Sequence, residues 1–119
     1  MFTDAELAYL RERRLGRIAT VGPDGTPHVT PVGWRFDEGD GTIDVGGIEF
    51  ANTKKYRDVG RSGKAAIVID DLASVQPWRP RGIEIRGDAE ILDDPPRIRI
   101  HPSRVVSWGL NGPSLGDRD

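Results

Sequence analysis

Residues 82–92 read GIEIRGDAEIL, and the rhythm of that stretch decides the fold. Ile83, Ile85, Ala89 and Ile91 alternate with Glu84, Arg86, Asp88 and Glu90, which is the two-residue period of a strand with one dry face and one wet face. Similar signatures flank it at short intervals. KAAIVID (64–70) is apolar on both faces, as a strand covered on two sides is. RIRIH (97–101) and RVVSW (104–108) read as two further strands divided by Pro102, which has no N–H for a ladder and marks an edge or a bend. Upstream, RIATV (17–21), the turn GPDGTP (22–27) and HVTPVGWRF (28–36) read as a hairpin. DEGDG (37–41) then turns into a strand TIDVGG (42–47), and DLASVQPWRPR (71–81) reads as a loop.

Two short helices punctuate the strands. Thr3 and Glu6 have capping-box spacing, and Phe2 and Leu7 hold the positions of a hydrophobic staple, so a helix starts at Asp4, with Gly16 able to close it. That helix is expected to lie across one end of something larger. In residues 49–62, Phe50, Ala51, Tyr56 and Val59 suit a helical turn or two, capped by Asn52 or Thr53 and ended by Gly60 or Gly63. Six or seven short strands with local turns and little helix imply a mainly β domain, an antiparallel barrel or sandwich, and argue against a βαβ sheet.

With 119 residues the chain is the size of one domain. Residues 1–110 are expected to form it and residues 111–119, NGPSLGDRD, to be a flexible tail. A core this small has little apolar surface left for a deep private pocket, and a site shared between two subunits relieves that shortage. The absence of cysteine excludes thiol nucleophiles, thiolate metal sites and disulfides, and fits a reducing cytoplasm. Charges occupy the N-terminus where a leader needs an apolar stretch, and no apolar run approaches the roughly 20 residues that cross a bilayer, so no membrane partner is expected. A net charge of −2 has the wrong sign for a nucleic-acid partner.

Lys54, Lys55, Arg57 and Arg61 cluster where a short helix begins. Cations beside unpaired N–H groups make an anion site suited to a phosphate ester, and the same cluster also reads as a solvated basic face. Gly46 and Gly47, just upstream, allow a ligand close to the backbone. Trp34, Trp78 and Trp108 stand as walls for a flat ring or as core and contact residues, with Arg79 and Arg81 beside Trp78. His28 and His101 have no second ligand at metal spacing, the serines lack a nucleophile elbow, and no phosphate-binding glycine loop follows a strand. No catalytic side chain and no metal site is therefore assigned. A domain with a phosphate-like site and ring walls, but no reactive group of its own, suits a cofactor that brings its own chemistry.

The blocks GRIATVGPDGTPHVTPVGWRF (16–36), TIDVGG (42–47), TKKYRDV (53–59), PWRPRGIEIRGDAEIL (77–92) and RIRIHPSRVVSWGL (97–110) resemble the pyridoxamine 5′-phosphate oxidase-like split-barrel superfamily, in particular its PPOX-class coenzyme F420-dependent oxidoreductase branch. The resemblance implies an antiparallel split β-barrel that forms a homodimer with a cofactor at each subunit interface. It implies that Lys55 and Arg57, with Thr53 and Lys54 nearby, hold a phosphate, and that the backbone of Thr30, Pro31, Val32 and Gly33 runs along the ring. It places Trp78, Arg79 and Arg81 near the partner's site and brings Trp108 from the last strand. The connection DDPP (93–96) is shorter than the mobile loop this branch leads one to expect. The activity implied is hydride transfer from reduced F420 to a small conjugated acceptor. FMN in the same site, giving an oxidase or flavin reductase, and a non-catalytic binder of a cofactor or tetrapyrrole are the alternatives on the same barrel.

Overall fold

The computed structural model describes residues 1–110; the expected tail, 111–119, lies outside them. In chain order come α1 (Asp4–Arg11), β1 (Leu15–Val21), β2 (Pro27–Asp37), β3 (Thr42–Val45), a 3-10 turn (Phe50–Asn52), α2 (Lys54–Ser62), β4 (Lys64–Ser74), β5 (Arg79–Asp93) and β6 (Pro96–Trp108). The six strands close into an antiparallel barrel in the order β1-β2-β3-β6-β5-β4. Its interior is made largely of Ile18, Ile43, Ile67, Ile69, Ile83, Ile85, Ile98 and Ile100, each no more than 1% exposed. Branched side chains suit the pleat, and burying each contributes roughly 1.5–3 kcal/mol.

Both helices begin as their sequences dictate. At α1 the Thr3 hydroxyl accepts from the Glu6 N–H (3.1 Å), and the Glu6 carboxylate accepts from the Thr3 N–H (2.9 Å). α2 starts on Thr53, whose hydroxyl accepts from the Tyr56 N–H (3.3 Å), and stops on Gly63 at φ +70°. α1, however, ends at Glu12, and Gly16 belongs to β1. There a side chain would press within 3.1 Å of the Val68 carbonyl, so the glycine serves strand packing and not helix termination.

Two other expectations change. Residues 71–81 are not a loop: β4 runs to Ser74 and β5 starts at Arg79, leaving only 75–78 as a tip. An ion pair across the ladder between Asp71 and Arg81 holds this part of the hairpin, a contact that hydropathy does not record. Residues 97–108 form one strand rather than two, carried past Pro102 by a bulge opposite Arg86 and Gly87. The extra residue switches the inward set from Ile98 and Ile100 to Val105 and Ser107, so the alternation slips by one. Gly87 permits the crossing, because a Cβ there would overlap the His101 carbonyl. The short DDPP connection closes a regular hairpin in which Asp93 pairs with Pro96.

One seam of the barrel is incomplete. β3 pairs with β2 only over Trp34–Asp37, and among the described residues no strand pairs with Pro27–Gly33 on that side.

Candidate functional site

α2 closes the end of the barrel where β1 finishes and β4 begins. Its Asp58 is 1% exposed. The carboxylate accepts from the Thr20 hydroxyl (3.0 Å) and lies 3.6 Å from Lys54 Nζ and 3.4 Å from Arg61 Nη2. Burial pushes this acid up, but the Thr20 hydrogen bond and the two cations outweigh it and hold it below the usual carboxylate range. Arg61 also donates to the Val21 carbonyl (2.5 Å).

The four-residue basic cluster is therefore divided. Lys54 and Arg61 neutralise a buried acid and pin α2 to β1. Lys55 lies over the Phe50 ring, 5.4 Å from its centroid, and Arg57 donates to the Asn52 carbonyl (2.9 Å). Neither has a carboxylate partner among the described residues. Lys54 also lines a hollow of about 480 Å³ with Pro23, Asp24, Thr26 and His28, so the start of α2 faces the start of β2.

From there the unpaired edge of β2 leads away along Thr30, Pro31, Val32 and Gly33. Thr30, Pro31 and Gly33 are exposed and Val32 is buried. At Gly33 a Cβ would meet nothing within 4 Å. Six residue steps from Pro27 to Gly33 span about 20 Å, and the far end opens into a cavity of about 640 Å³ floored by Gly33, Gly46 and Gly47. The Lys54 hollow, the bare β2 backbone and the glycine-floored cavity thus follow one another along β2.

The remaining sequence-derived candidates sit at the other end of the barrel, which α1 covers through a hydrogen bond from Ser107 to Glu6 (2.5 Å). Arg81 grips Asp71 with two hydrogen bonds (2.8 and 3.0 Å), the Tyr9 hydroxyl donates to the same acid (2.7 Å), and Arg13 lies 3.6 Å from it. The Arg81 hydrogen bonds hold the Asp71 carboxyl down at about 2, and burial with the Asp71 contact pushes the Tyr9 phenol up to about 12. Trp78 is 66% exposed at the hairpin tip and Arg79 is exposed beside it. Trp108 is half-buried and packs over Gly82. The ten steps of β4 separate the two ends by about 30 Å, so one subunit does not bring Trp78, Arg79 or Arg81 to Lys55 and Arg57.

Sequence reasoning missed three features. Asp58 was given no role by the sequence, although its spacing to Lys54 and Arg61 is a usable signal. Arg35 and Arg97, which line the glycine-floored cavity, were likewise given no role. The outward face of β1, β2 and β4 also emerges only here. Leu15, Val21 and Val29 are 58%, 41% and 65% exposed, and Val29 and Ala66 flank Ala19 in register.

Comparison with known proteins places these features in context. A family model described as pyridoxamine 5′-phosphate oxidase matches residues 2–118. The chain is 39% identical over 121 residues to 5a,11a-dehydrotetracycline/5a,11a-dehydrooxytetracycline reductase of Streptomyces rimosus, covering 93% of this chain and 85% of that protein. It is 31% identical over 97 residues to F420H(2)-dependent biliverdin reductase of Mycobacterium tuberculosis, covering 82% and 64% respectively. In fold it is similar to a solved conserved hypothetical protein of Mycobacterium tuberculosis, with a TM-score of 0.73 at 21% identity and coverage of 93% and 87%.

Proposed function

This chain belongs to the pyridoxamine 5′-phosphate oxidase family, and on that premise we propose that it is an F420-dependent reductase acting on a small conjugated acceptor. The relatives named as reductases support oxidoreductase chemistry on a flavin or deazaflavin. The observation that carries the reading is the pair Lys55 and Arg57, which have no carboxylate partner among the described residues and lie in the first turn of α2, whose Lys54 lines the hollow at the start of β2. The residues present fit such a coenzyme: an anionic end for Lys55, Arg57 and the first turn of α2, and a flat body for the open backbone at Gly33. When bound, reduced F420 supplies a hydride to a C=C or C=N bond, and the acceptor takes its proton from solvent. The protein's own work is to bind, orient and exclude water. Lys55 and Arg57 fix the anionic end, Asp58 fixes the rotation of α2 that presents them, and the β2 backbone aligns the ring.

The reading includes a homodimer in the cytoplasm. The apolar outer face over Ala19, Val29 and Ala66 is the contact that a second copy covers, since a strand as apolar on both faces as β4 wants cover on both. In that arrangement the hairpin tip of one subunit, with Trp78 and Arg79, reaches the ligand of the other.

The test is a titration with F420 and with FMN side by side, read by fluorescence, together with sedimentation velocity. F420 binding to a dimer is expected, and Ala66→Glu gives monomers that lose it. Protein that purifies yellow with stoichiometric FMN overturns the coenzyme assignment. A wild-type monomer that binds neither overturns the whole reading.

A further inference from the structure

The cavity at the far end of the β2 edge has a chemistry of its own. At about 640 Å³ it lies within the range of small-molecule sites. Gly33, Gly46 and Gly47 leave its floor flat, and Trp34 forms part of the wall. The Trp34 indole N–H is buried with no hydrogen-bond partner, which marks a place where protein groups alone leave a donor unanswered.

Charge on the opposite wall is unbalanced. Asp44 accepts two hydrogen bonds from Arg99 (2.8 and 3.0 Å) and one longer bond from Arg97 (3.3 Å). Arg99 alone matches the charge of that acid, yet Arg97, which also donates to the Pro95 carbonyl (2.8 Å), lines the cavity as well. Arg35 lies directly across the ladder from Asp44. It is exposed and has no ion pair among the described residues. Two guanidinium groups therefore overlook a flat space that holds one already satisfied carboxylate.

We propose that this cavity is the acceptor site and that it takes planar conjugated substrates bearing an acidic oxygen group, a carboxylate or an enolate, held by Arg35 and Arg97. The placement rests on the reading of β2 as the strand along which the coenzyme ring lies, because an acceptor anchored there puts its conjugated bond beside Gly33. A fork of guanidinium donors suits an anionic oxygen pair, and a neutral ester of the same shape forfeits the charge-assisted bonds.

The experiment uses 2-naphthoate and methyl 2-naphthoate as probes, titrated calorimetrically into the full chain with and without F420, alongside a separate F420 titration. The acid is expected to bind more tightly than the ester. Arg35→Gln should weaken the acid by about tenfold or more while leaving the ester and F420 unchanged, and Arg35→Glu should abolish the preference. Equal binding of acid and ester overturns the proposal. So does an Arg35→Gln protein that loses F420 and keeps naphthoate, since the cavity then belongs to the coenzyme. Wild-type protein that discriminates the acid from the ester but never binds F420 supports the anion site and sinks the coenzyme reading alone.

Discussion

At one end of the barrel α1 and the turn after it deliver Tyr9 and Arg13 onto Asp71, which Arg81 holds from the neighbouring strand; at the other, α2 delivers Asp58 onto Thr20, with Lys54 and Arg61 around it. Both ends thus use an acid ringed by two cations to lock a short helix over the core. They differ in depth and in what is left over. The Asp71 side chain is 34% exposed and that of Asp58 is 1% exposed. Beside Asp58, moreover, Lys55 and Arg57 have no acid of their own among the described residues. The comparison teaches that a basic cluster is not a binding site as a whole: subtraction of the charges that hold the fold identifies those left for a ligand.

The largest effect should come from the deeper acid. Asp58→Ala leaves Lys54, Arg61 and the Thr20 hydroxyl without their partner and should cost about 3–5 kcal/mol of stability, whereas Asp71→Ala should cost about 1–2 kcal/mol. Urea midpoints measure both, and equal losses would break the distinction between the ends. Next comes the double change of Lys55 and Arg57 to alanine. It should weaken F420 by about 3 kcal/mol, roughly a hundredfold, with the urea midpoint unmoved, whereas Arg81→Ala should lower the midpoint.

Acid sharpens the contrast further. The Asp71 carboxyl titrates at about 2 in the folded protein against 3.8 ordinarily, so its contribution is present above about pH 4 and lost as the pH falls toward 2. Discounted for solvent screening, that loss is about 1 kcal/mol, and it should shrink in Arg81→Gln, where Tyr9 and Arg13 still hold the acid, when unfolding is compared at pH 5 and below. An unchanged acid slope in that variant would remove Arg81 as the cause. The smallest test concerns the caps. Thr3→Ala and Thr53→Ala should each cost about 1 kcal/mol of stability, but only the second should also lower coenzyme affinity. A matched loss of affinity in Thr3→Ala would mean that the α1 end reaches the ligand after all.

Much of the framework was legible in the residues. The alternation in β5 marked Ile83, Ile85 and Ala89 as interior, and each is buried. The Thr3–Glu6 pair and the Thr53 and Gly63 boundaries also emerged where the spacing put them. The bulge in β6 was hidden, because a two-residue period read across an inserted residue looks like two strands. The long hairpin from β4 to β5 was hidden too, because an exposed ladder held by Asp71 and Arg81 has the composition of a loop.

Local order is what the chain by itself determined: strand faces, helix caps and turn positions depend on neighbours within a few residues, where periodicity and backbone preference act. The spacing within α2 already offers Lys54 and Arg61 to Asp58, but tertiary structure decided that this acid is buried, because it meets Thr20 across 38 positions, and it brought Arg35, Asp44 and Arg99 together by setting three strands side by side. Charge compensation acts through space, so helical spacing assigns partners within α2, and only the closed barrel assigns those between strands.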